Sequence, residues 1–412
     1  MKLLTPFYFY SMQLSQSLID VLMAIIGLIA IFFIHKNKNF KHFFLKFKTL
    51  HLLLGLYFLI CCFSLVFSPF NNIHFSELLG LKWIFEFILL TYFLTQIQLD
   101  NVHLKQILKV TSFISLLAIF IYFYGGIPFI TTSAERSLNL LDTFNWRAKG
   151  LLNSAIAAAH SISLLFCILV AYFIFTIQIE TNHLRRFLVF FQLLIINIFI
   201  LFTYTRGVWI SLGCTLLCSL FIIKSKKFNY FSLAFISLNF ILFSLSDNLK
   251  NRVFKSFMNF YSGDQERLYL WKSYLLMFAD YPLLGVGYEN ARLHLRTYYD
   301  RLSLPINQFE SHAHNNYINL LANIGSFGFV CYIILFSYIL RISYLYVKNE
   351  MDLEKKYLAL GLLLAQICFH FNSLTEANFT ISKNRSLFLL VCSLSLSLIY
   401  LKNLSAEKTE SK

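Results

Sequence analysis

The 412-residue sequence predicts an all-α polytopic membrane protein of about 11–12 transmembrane helices, with one large, partly helical loop outside the bilayer. Three observations carry that expectation. Hydrophobic residues make up 58% of the chain and charged residues only 13%, whereas soluble domains are about half apolar and about a quarter charged. Eleven apolar runs, most of them 17 to 25 residues long, punctuate the sequence, which is the length a helix needs to cross about 30 Å of hydrocarbon. The runs are apolar on every face, so the alternating strands of a membrane barrel are excluded.

The runs fall at 14–34, 50–68, 78–97, 107–124, 153–177, 187–203, 207–223, 229–246, 316–340, 357–371 and 385–401. Residues 1–246 thus hold eight spans, 247–315 the large loop, 316–401 the remaining spans and 402–412 a tail. No small-residue cleavage site follows the first run, and Lys36, Lys38, Lys41, Lys46 and Lys48 lie just beyond it. It therefore reads as a retained span followed by a cytoplasmic lysine cluster. Threading the chain from that cluster places "QIETNHLRRF", "IKSKKFN", "RISYLYVKNEMDLEKKY" and the tail inside. Residues 125–152, the break at 203–207, 247–315 and 372–384 then fall outside, with the N-terminus outside and the C-terminus inside. All eight cysteines lie within apolar runs, so neither a disulfide framework nor a CxxC metal pattern is expected.

The formal charge of +15 is mostly cytoplasmic Lys and Arg obeying the insertion rule, and it does not point to nucleic acid. The cations expected outside are more informative. Residues 125–152 carry Arg136, Arg147 and Lys149, and "FTYTRGVWI" sets Arg206 between two apolar helices. A guanidinium there is costly unless it faces water, a partner or a ligand. It either snorkels to headgroups or binds an anion at a helix end, where its fork suits phosphate oxygens. In the large loop eight cations are nearly balanced by seven acids, so single positions matter more than the sum.

Within that loop "QERLYLWKSYLLMFADYPLLGVGYENA" predicts an amphipathic helix near 267–280, with Leu268, Trp271, Tyr274, Leu275 and Phe278 on one stripe. It is expected to lie flat on the membrane or the bundle and to begin at Arg267. "DYP" stops it and "LGVG" turns the chain. Next comes "ESHAHNNYINLLANIGSFG", in which His312 and His314 precede a span that Asn315 or Asn316 can cap. Asn316, Asn319 and Asn323 share one helical face, which must point into the bundle. Gly325 and Gly328 on the next turn allow close packing. His314 sits at the mouth of this polar seam, where an imidazole can take a proton from a hydroxyl. A metal pair completed by Glu310, Asp300 or His294, and a purely structural histidine, are the other readings.

His314-Asn315, nine residues, Gly325, two residues, Gly328 resembles the signature of the O-antigen ligase and polymerase superfamily of bacterial inner-membrane glycosyltransferases. "TYTRGVWISL" and "RLYLWKSYLLMFADYPLLGVGYEN" are similar to two further family segments. "RAKGLLNSAIAAAH" is similar to a third, with Asn153-Ser154-Ala155 where the family has Asn-Pro-Asn. The motifs cover roughly 145–340. Family ligases are drawn with twelve spans and both ends cytoplasmic, a difference at the N-terminus from the eleven spans read here.

The resemblance implies transfer of a glycan from undecaprenyl diphosphate to a lipid A-core sugar hydroxyl, at the periplasmic face of the inner membrane. It implies His314 as general base, with Arg206, Arg267 and Arg147 binding the donor diphosphate and His312, Asn315, Asn316 and Trp271 in support. No cofactor is implied. No paired carboxylates of a metal-binding type stand in an outer loop, so a metal-independent, inverting reaction is expected. A polymerase of the same superfamily and a protein-glycosylating relative are alternatives. So is a lipid or sugar transporter, whose polar groups would run through mid-span. Here only Asp20, Lys82 and Glu86 are prominent within spans, and Lys82 and Glu86 are spaced to pair on one helix.

Overall fold

The computed structural model describes residues 16–36, 39–70, 75–97, 113, 116, 154–223, 226–245, 263–305 and 312–410. Among these there are thirteen α-helices, one 3-10 helix and no strand. The helices are α1 (Gln16–Lys36), α2 (Phe40–Lys46), α3 (Lys48–Val66), α4 (Lys82–Gln96, preceded by the 3-10 turn Phe75–Leu81), α5 (Ala155–Ile179), α6 (His183–Phe202), α7 (Arg206–Ile222) and α8 (Lys226–Leu245). They continue with α9 (Gly263–Asp280), α10 (Ala291–Arg301), α11 (Asn316–Asn349), α12 (Leu353–Asn372) and α13 (Ser382–Glu410).

Among the described residues seven helical segments are long and apolar enough to cross a membrane: Ser17–Lys36, Lys48–Val66, Glu77–Gln96, Ala155–Ile179, His183–Phe202, Asn316–Asn349 and Ser382–Ser405. Arg206–Ile222 and Phe228–Ile241 are shorter apolar helices. The chain is thus a multi-pass membrane protein. The expected run 107–124 and the loop 125–152, with Arg147, lie outside the described residues apart from positions 113 and 116.

The short run at 357–371 becomes the 20-residue α12. Asp352 caps it, accepting the Glu354 and Lys355 N–H groups at 2.9 and 3.2 Å. Charged residues fill its first turn, yet its apolar length is buried from Tyr357 to Phe369 between α5, α7, α11 and α13. A Cβ at Gly361 would lie 2.9 Å from the Ile168 backbone, so glycine lets α5 and α12 approach closely. These two helices form the middle of the bundle. Ser154 caps α5 through the Ile156 N–H, which is a local reason for a serine where the family has proline.

The large loop has its own small core. Leu270, Tyr274 and Met277 of α9 pack with Val286, Leu295, Tyr298 and Tyr299 around α10, and with Ala313 and Ala322 of the next segment. The helix begins at Gly263 rather than Arg267, and its inward face is Leu270, Ser273, Tyr274 and Met277. Leu268 and Leu275 of the expected stripe are exposed. Tyr274 of the stripe is buried and Trp271 packs against the same cluster, so packing on α10 and α11 took part of the stripe and added Leu270 and Met277 to it.

α11 is broken at Gly325, whose φ of 62° and ψ of −167° are non-helical. The break frees four backbone groups, and the "PLLGVG" turn satisfies all of them. Val286 and Gly287 N–H donate to the carbonyls of Ala322 and Asn323, while Ser326 and Phe327 N–H donate to the carbonyls of Pro282 and Leu283, at 2.8–3.2 Å. A Cβ on Gly325 would lie 2.3 Å from the Leu283 backbone. The first motif glycine therefore admits a loop against an opened helix, rather than a second helix. Ser68 Oγ donates to the Val286 carbonyl at 2.7 Å, and Tyr288 N–H donates to Ser64 Oγ at 3.1 Å, which ties the turn to α3.

Candidate active site

Four stretches meet at one end of the bundle: the start of α7, the start of α9, the entry to α11 and the loop between α12 and α13. Asn315 is the α11 cap, its Oδ1 accepting from Tyr317 and Ile318 at 2.9 and 3.1 Å. Its Nδ2 donates to the Leu374 carbonyl at 3.0 Å. Asn316 N–H donates to the Ser373 carbonyl at 2.8 Å, and its Oδ1 accepts from Phe379 N–H at 3.3 Å. The two asparagines thus clamp residues 373–379 onto the head of α11. Asn316, Asn319 and Asn323 are buried as their spacing predicts. Asn323 Oδ1 accepts the first N–H of α10, from Ala291 at 2.9 Å.

His314 has φ 46°, in the left-handed region that costs a bulky residue about 1–3 kcal/mol. Its neighbours hold it there. Trp271 Nε1 donates to the Ala313 carbonyl at 2.8 Å, and the His314 N–H donates to His312 Nδ1 at 3.3 Å. In this conformation His314 Nδ1 stands 2.9 Å from both carboxylate oxygens of Glu376. The Glu376 side chain is 2% exposed and that of His314 is 14% exposed. Burial alone would raise the Glu376 pKa. The hydrogen bond from His314 and the charges of His314, His312 and His160 outweigh it and lower the pKa to about 2.

Arg267 reaches the same loop, and Arg206 stands next to it through its neighbour Gly207. Arg267 Nη1 donates to the Thr375 carbonyl at 3.4 Å. Arg206 opens α7, and the next residue, Gly207, is pressed on Thr375 so closely that a Cβ would lie 2.2 Å from its Oγ1. Arg206 and His314 therefore stand at the same end of the bundle, each beside residues 375–376. Arg147 lies outside the described residues. Behind the loop a buried polar chain links α5 to α13. His160 Nδ1 is 3.3 Å from Asn378 Nδ2, Asn384 Nδ2 donates to Asn378 Oδ1 at 2.8 Å, and Ser161 Oγ donates to Asn384 Oδ1 at 2.8 Å.

Of the metal ligands the sequence offered His314, His294 stacks on Phe70 with ring centroids 3.4 Å apart, and Glu310 is outside the described residues. The structure supplies Glu376 instead. His312, His314 and Glu376 bring ligand atoms within 4.8 Å of one another. Sequence reasoning missed Glu376, because its only signal was one acid in the short connection "NSLTEANF". Lys82, expected to pair with Glu86, stands 3.7 Å from it and 3.1 Å from Asp20.

The family model described as O-antigen ligase, Wzy_C, matches residues 188–333. Over residues 188–333 the chain is similar to that family. The matched region runs from α6 into α11, so it contains Arg206, Arg267, Trp271, His312, His314, Asn315 and Asn316. Arg147 and Glu376 lie beyond it. The family comprises transferases acting on lipid-linked glycans. No curated protein matches the chain.

Proposed function

We propose that the protein is an O-antigen ligase that moves a glycan from undecaprenyl diphosphate to a lipid A-core sugar hydroxyl at the periplasmic face. The observation that supports this best is that His314 contacts Glu376 and Arg267 contacts Thr375, while Arg206 opens α7 beside Gly207, which packs on Thr375, all at one end of a membrane bundle. The opposite end carries Arg185, Arg186, Lys348, Lys355, Lys356 and Lys402. It is joined there by the Gln178–Tyr357 and Lys402–Glu350 contacts. By the positive-inside tendency that end is cytoplasmic and the histidine end is periplasmic.

A sugar diphosphate already has a good leaving group, so catalysis needs charge stabilisation and a base. The acceptor hydroxyl oxygen attacks the anomeric carbon and gives its proton to His314. The bond to the diphosphate breaks, and its electron pair leaves on an oxygen held by Arg206 and Arg267, with Arg147 as a third donor. Attack opposite the diphosphate inverts the anomeric centre. Leu268 and Leu275 are exposed on α9, and in this reading they meet the polyprenyl chain of the donor.

The test is analysis of carrier-linked glycan and lipopolysaccharide in a deletion strain carrying wild-type or variant protein. Loss of the protein should leave long glycans on the carrier and none on lipid A-core. Single carrier-linked units would instead identify a polymerase, and normal lipopolysaccharide with an unglycosylated protein would identify a protein acceptor. His314→Ala should insert normally and lose about 10²–10⁴ in transfer rate. Arg206→Ala should lose about 10²–10³.

A further inference from the structure

Glu376 lies outside the matched region, yet both of its carboxylate oxygens stand 2.9 Å from Nδ1 of the catalytic histidine. The proton inventory of the cluster is constrained. An ionised carboxylate only accepts, so His314 Nδ1, 2.9 Å from both of its oxygens, must carry the hydrogen. His312 Nδ1 accepts the His314 backbone N–H at 3.3 Å, so that nitrogen has its lone pair engaged and does not donate to Glu376, 3.5 Å away. The carboxylate thus serves one imidazole. A metal in the same place would require His314 Nδ1 to lose its proton and His312 Nδ1 to release the backbone.

We propose that Glu376 is the positioning residue of the transfer. Its buried carboxylate takes the Nδ1–H of His314 and so leaves Nε2 as the lone pair that receives the acceptor proton. When that proton arrives, the imidazolium faces a fixed negative charge and is stabilised before the proton passes to solvent or to the departing diphosphate. The Ala377 N–H, donating to Glu376 Oε1 at 3.1 Å, and the clamp from Asn315 and Asn316 keep the carboxylate in place. This rests on His314 being the base. The low pKa of Glu376, about 2, is consistent with a carboxylate that stays charged through the cycle. The charged and titratable groups around it are His314 and His312 before α11, His160 from α5, and Arg267 from α9 through the Thr375 carbonyl.

The experiment uses the full-length protein in nanodiscs, with carrier-linked glycan and lipopolysaccharide core extracted from the deletion strain as donor and acceptor. Glu376→Gln keeps the shape and an acceptor oxygen but removes the charge. It should lower kcat about 10²-fold or more with little change in donor KM. Its acid limb should move to lower pH, because an imidazolium without its counter-charge loses its proton more readily. Glu376→Asp should recover part of the rate. Wild-type turnover in Glu376→Gln would overturn the assignment. So would a rate loss with an unmoved acid limb and no recovery by Asp, which marks a structural carboxylate. Activity abolished by EDTA and restored by zinc would also overturn it, by making Glu376 a metal ligand. His314→Ala separates this from the parent reading. If that variant retains transfer, the base assignment fails, whereas if only Glu376→Gln retains it, the positioning role fails alone.

Discussion

The entry to α11 and the loop between α12 and α13 contribute opposite halves of the same site, and they differ in how they are built. The α11 entry is held by its own local chemistry: an asparagine cap, a helix opened at Gly325, and a turn that takes up each freed backbone group. Residues 373–381 form local turns, with the Ser373, Leu374, Thr375, Glu376 and Thr380 N–H groups donating to carbonyls three or four residues earlier. Their seat against the rest of the site comes from Asn315 and Asn316, from Arg267, and from close packing on Gly207. One region is a scaffold with a recognisable spacing. The other is a short connection that becomes functional only where it is clamped.

Breaking the scaffold should have the largest effect. Gly325→Ala puts a side chain at positive φ and against the Leu283 backbone. The two costs together come to about 2–6 kcal/mol. The expected outcome is a large drop in detergent-solubilised Tm and in the amount of inserted protein. A variant that melts like wild type would show that the opened helix is not what holds this region.

Disturbing only the loop should leave the fold and take the activity. In Gly207→Ala the new methyl meets Thr375, so residues 375–376 must shift. A misplacement of about 1 Å can cost about 10²-fold in rate. Insertion and Tm should stay near wild type while transfer falls. Equal losses of stability and activity would mean that the loop is as much a part of the scaffold as Gly325.

The smallest effect is expected at the joint between the two. Asn315→Ala removes the α11 cap, worth about 0.5–2 kcal/mol, together with the hydrogen bond to Leu374. Asn315→Asp keeps the cap oxygen but loses the donor to Leu374. If it restores Tm but not transfer, the asparagine acts in the site through its hold on the loop.

Much of the entry to α11 was legible beforehand. His314, the asparagine face and the glycine spacing are local signals, because a cap, a 3.6-residue period and a helix break are written within a few turns of chain. The exact work of Gly325 was not legible, since it depends on a turn forty residues earlier. The inward face of α9 was legible only in part, in Tyr274 and Trp271, because a helix apolar on two sides does not say which side has a partner. Glu376 carried almost no signal, as one acid in a polar connection has no periodicity and no motif.

By itself the sequence determined that the chain crosses a membrane many times, where most spans lie, and that a histidine and arginines stand at the ends of its spans and in the segments between them. Those properties follow from composition, run length and short-range spacing, which act along the chain. Only the tertiary structure decided that α12 is a central helix, that the "PLLGVG" turn completes a broken α11, and that Glu376 reaches His314. Each of these joins groups distant in sequence, and their meeting depends on how the helices pack and where buried polar groups find partners, which no single stretch of residues encodes.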